Sequence, residues 1–394
     1  MKQENRSFFI PGRIEFLGKH TDYCGGRSIV CAIDKGFTVF AQPMGGQNFS
    51  KICNSATKEV VSFEFDENLA SREGHWGNYP LTVIKRVAKN FKSKPLDGVD
   101  MFFTSDLPQA AGVSSSSAFI VATFLAISKV NNLPEFYEFK QNIKDDSDLG
   151  NYLGCLENGY DYGDLKGNQG VGTFGGSQDQ TAIICGKENT LSRFSFCPVR
   201  HEGDFALPEG FCFVIASSGV VAEKTGAAKE KYNRLSLMSQ EIRKMFDEKL
   251  SLAEVIEKYG FEDVRAKLPT QDIVNRLTQF YIESYEIIPQ VSEYLKNGEI
   301  DKIGELIDLS HQNADKLLGN QVPETNFLQS KARELGAVAA SAFGAGFGGS
   351  VYALVKKSEA ENFEKEWQAN YLKEFPQHEE KSEFFITNAG ESKF

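Results

Sequence analysis

The chain lacks most of what would place it outside ordinary soluble globular proteins. It has no CxxC pair, and its seven cysteines are scattered and odd in number. That pattern suits free thiols in a reducing compartment better than a disulfide framework or a zinc site. No apolar run approaches membrane-spanning length, and the N-terminal MKQENRSFF has no apolar signal-peptide core. Positive charge is in deficit, with 43 Lys and Arg against 54 Asp and Glu, for a net charge of -11. This argues against a nucleic-acid partner, whose phosphates demand a basic face, and otherwise speaks to solubility rather than fold. No internal repeat, low-complexity tract or proline-rich linker interrupts the sequence. The expectation from these absences is a cytoplasmic protein that engages neither nucleic acid nor membrane.

What is present is material for a core. The 394 residues suffice for two domains, and 41% hydrophobic with 25% charged residues is an ordinary globular balance. The 32 phenylalanines read as core rather than as a stacking platform.

One stretch organises the rest: residues 108–120, PQAAGVSSSSAFI. The apolar run 99–104 (VDMFFT) before it predicts a strand, and 118–130 after it predicts a helix. Small residues let backbone approach a ligand closely. Ser114, Ser115, Ser116 and Ser117 arrive behind Gly112 where a helix N-terminus leaves unpaired N–H groups and partial positive charge. Strand, loop and helix start together make an anion site suited to phosphate. A serine cap on an ordinary helix is the competing reading, but one cap needs one serine.

Residues 11–34 gather Arg13, Glu15, Lys19, His20 and Asp22 among short apolar patches. They close with a Gly25-Gly26 turn into a strand at 28–33. Such a segment lines a polar pocket more often than a solvated face. Strands are also predicted at 37–42 and 60–65, and a helix at 78–90. Residues 145–164 are acidic and partly helical, with Glu157 inside. The glycine-rich loop 167–176 then delivers Asp179 to a predicted strand over 181–185. An acid so placed can be a general base or an ordinary turn aspartate. A polar connection at 198–210 marks a domain boundary, dividing the chain into 1–205 and 206–394. Beyond it come a strand at 211–217 and long helices at 226–245, 271–295 and 302–318. Gly344, Gly346 and Gly349 have the GxGxxG spacing, yet β-formers at 351–355 follow them instead of a helix, which excludes a dinucleotide fingerprint. Gly18-Lys19 is followed by His20, so there is no Walker A motif either.

Three separated motifs resemble one family. PGRIEFLGKHTDYCGG is similar to the galactokinase signature, PQAAGVSSSSA to the phosphate motif of the GHMP small-molecule kinases, and SAFGAGFGGSV to their third motif. Weaker matches lie at Trp76 to Tyr79, Glu157-Asn158, Asp179-Gln180 and Lys231 to Arg234. The resemblance implies a two-domain α+β GHMP kinase fold. It would comprise an N-terminal βα domain of the ribosomal-protein-like kind and a ferredoxin-like C-terminal domain, with ATP and Mg²⁺ in the cleft between them. It implies a monomer that moves the γ-phosphoryl of ATP to the anomeric hydroxyl of a sugar such as galactose. Asp179 matches the catalytic base and Arg13 the charge stabiliser, which should also depress the Asp179 pKa. Lys19, His20, Asp22 and Tyr232 match sugar-binding positions. Gly112, Val113, Ser114, Ser115, Ser116, Ser117 and Gly346 match the ATP site, and Ser116 and Glu157 the magnesium ligands.

The departures concern the sugar. Lys19 stands where the family has a glutamate near the sugar C6 hydroxyl, so a cationic donor replaces an acceptor. A carboxylate at C6, as in galacturonic acid, would pair with Lys19; alternatively Lys19 faces solvent or pairs with Glu15 or another acid. Ala110 replaces a motif glycine, Asn326 an aspartate, and GGSQDQ is closer to fucose- or heptose-kinase patterns. Arabinose, fucose and heptoses therefore stay open as substrates. So does a sensor that binds sugar and ATP without turnover, although Arg13, Asp179, Ser116 and Glu157 are all present.

Overall fold

The computed structural model describes residues 7–72, 74–107, 112–220 and 226–394, with side chains in the last segment from residue 230 onward. The start of the serine loop, including Ala110, lies outside the described residues.

Two sheets carry the fold. In the first, β1 (Ser7–Leu17), β2 (Arg27–Pro43), β3 (Phe49–Asn54), β4 (Val60–Glu64), β5 (Val99–Ser105), β6 (Thr190–Ser195) and β7 (Arg200–Ala206) run in the order β4-β3-β5-β2-β6-β7, with β1 paired along the other edge of β2. The two strands expected at 28–33 and 37–42 are one strand of 17 residues. The polar Asp34-Lys35-Gly36 step does not break it because Gly36 sits directly against the carbonyl of Ile10, where any Cβ would collide. The connection expected at 198–210 contains β7, a half-exposed edge strand whose polar composition hides its pairing to β6.

The second sheet contains β8 (Phe211–Ser217), β9 (Ala339–Phe343), β10 (Ser350–Lys356) and β11 (Glu383–Thr387), all antiparallel, in the order β11-β8-β10-β9. Fourth, first, third, second is the ferredoxin-like order expected. Its strands are buried on both faces, which is why they read as continuous apolar runs. Cys212, Val214 and Ala216 face a core completed by Leu328, Trp367 and Tyr371 from helices Pro323–Glu334 and Ala360–Glu374. Phe213 and Ile215 point the other way into the main core shared with the first sheet. A final strand, β12 (Ala389–Gly390), returns to pair with Ile33 and Ala32 of β2. The glycine-rich stretch expected to lack a following helix is the turn of the β9–β10 hairpin, with the next helix at Ala360–Glu374.

Helices Asn78–Asn90 and Ser115–Asn131 form as expected. The strand expected at 181–185 does not form: Gln178–Cys185 is a helix. Its residues Gln180, Thr181, Ala182, Ile183 and Ile184 are all buried, so no amphipathic period marks it. It packs on helix Asp146–Asn158 at two glycines: a Cβ at Gly150 would lie 2.9 Å from Thr181 Cα, and one at Gly154 would collide with Ser177. The predicted helices at 271–295 and 302–318 form with π-helical segments at Ile282–Ile287 and Ala314–Leu318. Among the described residues no helix is long and apolar enough to cross a membrane.

Candidate active site

A polar pocket opens where β1, the starts of helices Ser115–Asn131 and Gln178–Cys185, and the β9–β10 turn converge. Arg13, Glu15, His20, Asp22, Tyr23, Ser117, Glu157, Gln178, Asp179 and Tyr232 contribute to its wall. Asp179 occupies the first turn of its helix, where the backbone dipole favours a carboxylate. Arg13 Nε donates to Asp179 Oδ1 at 2.7 Å, and Arg13 Nη1 donates to the Gly112 carbonyl at 2.8 Å. Ser114 Oγ and Ser117 Oγ donate to Asp179 Oδ2 at 2.6 and 3.4 Å. The carboxylate is therefore fixed from two sides.

The four serines divide their work. Ser114 precedes the helix in a left-handed conformation, φ 59°, and its hydroxyl goes to Asp179 rather than capping the helix. Ser115 and Ser116 lie in the first turn and are half-buried. Val113 supplies only backbone here: its side chain is in the core, and its carbonyl accepts from Arg13 N at 3.2 Å. Gly112 faces the hairpin turn: a Cβ there would lie 3.5 Å from Ser350 N and 3.8 Å from Gly349 Cα. Gly344 and Ala345 reach the pocket wall, whereas Gly346 is turned against Asn320.

The sugar-motif residues are held from behind by one helix. Gly18 has φ 115° and His20 φ 56°, so this turn is strained for a non-glycine side chain. From helix Gln271–Tyr281 and the π segment after it, Arg276 Nη2 donates to His20 O at 2.6 Å and Gln279 Nε2 to Lys19 O at 3.1 Å. Glu283 Oε1 accepts from Gly18 N at 2.8 Å. His20 then presents its ring beside Tyr232 and Tyr23. Burial, reinforced by the Arg276 charge, lowers the His20 pKa to about 3. The neutral ring donates from Nε2 to Ala345 O at 3.1 Å and accepts from the Tyr23 hydroxyl at Nδ1. Asp22 Oδ2 accepts from Gln178 N at 3.2 Å, and burial raises the Asp22 acid.

Lys19 is the exception among the expected sugar contacts. Its side chain is 1% exposed and leaves the pocket for the interior, where Nζ donates to Ser310 Oγ at 3.4 Å and Ser310 donates to Glu283 at 3.0 Å. The departure from the family motif therefore lies behind the pocket wall. Ser310 Oγ gives this buried ammonium a polar partner, with the Glu283 carboxylate behind it.

Residues outside the three main motifs also shape the site. Asn158 shapes the glycine loop: its Oδ1 accepts from Thr173 Oγ1 at 2.8 Å and Gly175 N at 2.9 Å, and its Nδ2 donates to Gly176 O at 3.0 Å. A Cβ at Gly176 would collide with Asp22 Oδ2 and meet Tyr23 N at 2.8 Å. Gly176→Ala is therefore expected to weaken sugar affinity by about 100-fold, the loss of one or two well-placed hydrogen bonds. Calorimetric titration checks this; unchanged affinity would remove Asp22 from the binding wall.

Asn326, the position where an aspartate was expected, accepts from His311 Nε2 at 2.9 Å, while His311 Nδ1 accepts from Ala342 N at 3.2 Å. Burial and the nearby Lys19 charge lower the His311 pKa to about 4. A histidine depressed in the folded state contributes stability that is present above the unfolded value of about 6.5 and lost as pH falls toward 4. Between pH 7 and 4.5 this amounts to about 2–3 kcal/mol. Urea unfolding of His311→Gln should show that much less acid loss than the parent; equal acid limbs would refute the assignment.

The described residues contain no cluster of three or more His, Cys, Asp and Glu side chains fit to hold a metal. A magnesium site needs less protein than that, because the ion retains water and phosphate oxygens. Glu157 fits it: 2% exposed, on the pocket wall, and accepting from Gln180 Nε2 at 2.5 Å.

Comparison with known proteins agrees with this geometry. The galactokinase galactose-binding signature matches residues 2–43, the GHMP kinase N-terminal domain 78–153 and the GHMP kinase C-terminal region 291–373. Galactokinase of Fusobacterium nucleatum is 26% identical across 98% of this chain and 94% of that protein. Galactokinase of Pyrococcus furiosus is 28% identical across 93% of both. The crystal structure of Lactococcus lactis galactokinase complexed with galactose superposes with a TM-score of 0.81 at 22% identity, covering 99% of this chain and 95% of that one. The mevalonate kinase of Methanococcus jannaschii follows the same fold at a TM-score of 0.57 and 16% identity, covering 99% of each. The three family matches fall in chain order on the segments that build the pocket, and the chain belongs to the GHMP kinase family.

Proposed function

We propose that this ATP-dependent sugar kinase transfers the γ-phosphoryl group of ATP to the anomeric C1 hydroxyl of galactose or a closely similar neutral sugar. The observation that carries the reading is the Arg13–Asp179 pair at 2.7 Å, set on the wall of a pocket that also bears His20, Asp22 and Tyr232. Asp179 orients the C1 hydroxyl and takes its proton as the oxygen attacks the γ-phosphorus; the bridging oxygen leaves with its electron pair as ADP. Arg13 and the two serine hydroxyls favour the ionised carboxylate before the step, and Arg13 offsets charge on the transferring group during it. The small-residue loop Gly112 to Ser117 and the helix start behind it hold the phosphates through backbone N–H groups. Ser116 and Glu157 would hold Mg²⁺, which supplies charge neutralisation across the phosphates. The same reading divides the chain into 1–205 and 206–394, supported by the change of sheet between β7 and β8.

The burial of Lys19 behind the wall favours a neutral sugar over a uronic acid. Coupled ADP release with Mg-ATP against galactose, galacturonic acid, arabinose, fucose and a heptose tests both points. Turnover on galactose is expected. Turnover only on galacturonic acid would overturn the sugar assignment, and sugar binding with no ADP release from any of the five would overturn the kinase.

A further inference from the structure

The glycine loop 167–176 is held from both halves of the chain. Val171 N donates to Glu157 O at 2.8 Å, and Asn158 takes the loop at Thr173, Gly175 and Gly176, all from the end of helix Asp146–Asn158. A second helix, Gly226–Phe246, takes it at the tip. There Asn233 Oδ1 accepts from Phe174 N at 3.0 Å, and Asn233 Nδ2 donates to Gly172 O at 3.4 Å. A side-chain amide offers an acceptor and donors together, as a peptide group does. Two asparagines, one on each helix, thus hold adjacent residues of one loop.

The tip has little else to order it. Gly172 sits at φ 87°, Gly175 and Gly176 contribute no side chain, and Phe174 is 37% exposed. Such a segment loses much conformational entropy on ordering and recovers little by apolar burial, so its hydrogen bonds decide how firmly it stays in place. Its place matters to the pocket because Tyr232 directly precedes Asn233. The Tyr232 ring stands 5.4 Å from that of His20, and its hydroxyl lies against Gly175, where a Cβ would come within 2.7 Å of it. Gly175, Gly176 and Tyr232 all form pocket wall, while Asn233 stands outside that wall. The bonds of Asn233 therefore fasten the loop to the helix that carries Tyr232.

We propose that Asn233 is a positioning residue for the sugar, clasping residues 172–174 to helix Gly226–Phe246 so that Gly175, Gly176 and Tyr232 close together as one wall of the pocket. The inference rests on the sugar-kinase reading above. It separates binding from chemistry. Arg13, Asp179 and Ser114 are fixed by one another, so loosening the clasp should weaken sugar affinity and leave ATP affinity alone. The sugar in turn should tighten the clasp, since a ligand that meets wall residues from both the loop and the helix favours the closed arrangement.

The test uses Asn233→Ala and Asn233→Asp in the full chain. The alanine variant loses both bonds; the aspartate variant keeps the acceptor for Phe174 N and loses the donor to Gly172 O. Sugar KM should rise by about 10-fold in Asn233→Ala and by about 3-fold in Asn233→Asp, with ATP KM within about 2-fold and kcat within about 3-fold of the parent in both. Alanine is the better helix former, so Asn233→Ala should melt no lower than the parent, which separates a clasp from a merely structural contact. Hydrogen exchange of residues 171–176 supplies the second readout. Galactose should slow it by about 10-fold in the parent and by less than about 3-fold in Asn233→Ala. An unchanged sugar KM, an equal rise in ATP KM, or equal exchange protection in the two proteins overturns the proposal. The functional reading fails separately, through absence of parent turnover on galactose. The clasp is then judged by exchange of the same residues without sugar: about 10-fold faster exchange in Asn233→Ala supports it, and equal rates overturn it.

Discussion

Asp179→Asn should lower kcat by about 10³-fold or more, while affinities for ATP and sugar stay within about 3-fold of the parent. The variant is isosteric, and its surroundings can accommodate it. The new carbonyl oxygen can still accept from Arg13 Nε, and the new amide can donate to the Ser114 hydroxyl, which is able to reverse its role. The fold and the Arg13 position are thereby kept, and only the proton acceptor is lost. Single-turnover ADP release, with a thermal melt to confirm folding, makes the measurement. A folded variant with parental kcat would mean that Asp179 is not the base and that positioning alone drives the transfer.

The second large effect lies outside the pocket. Arg276 is fully buried, and among the described residues its partners are neutral: His20 O, Leu235 O, Gln279 Oε1, the Tyr23 hydroxyl and Cys24 Sγ. Arg276→Met removes the donor to all of them, and each stranded acceptor costs roughly 1–3 kcal/mol before relaxation. A net loss of about 3–5 kcal/mol is expected, since removing a buried charge offsets part of the sum. Because His20 sits in a left-handed conformation that this guanidinium helps to hold, the sugar KM should also rise by about 10-fold, with the ATP KM nearly unchanged. Arg276→Lys should not rescue either property, because one ammonium cannot reproduce the planar fork. A melt equal to the parent, or equal rises in both KM values, would show that the helix does not position the sugar turn.

Much of the site was legible because its chemistry is local. The serine run, the Arg13 to Asp22 segment and the β9–β10 glycines each carry their spacing within about fifteen residues, and a short-range pattern survives in the sequence whatever lies around it. Helix Asn78–Asn90 was legible for the same reason, being one amphipathic face against a core. The misreadings were of segments whose environment comes from elsewhere. Thr181 to Cys185 has β-branched composition and no period, and only the glycine contacts of helix Asp146–Asn158 make it helical. β7 reads as a polar connection because an exposed edge strand needs few apolar residues.

Lys19 shows the division most clearly. By itself the sequence determined that a cation replaces an acid in the sugar motif, and that the surrounding residues suit phosphoryl transfer. Only the tertiary structure decided which way that cation points. Its direction is set by Glu283 and Ser310, more than 260 residues further along the chain. Likewise, Glu15 and Gln178 are ordinary polar residues in the sequence, 163 positions apart. β1 and the helix at Gln178–Cys185 bring both to the wall of the same pocket. Side-chain type is encoded locally, whereas the presence or absence of a partner depends on what the fold brings across from distant parts of the chain.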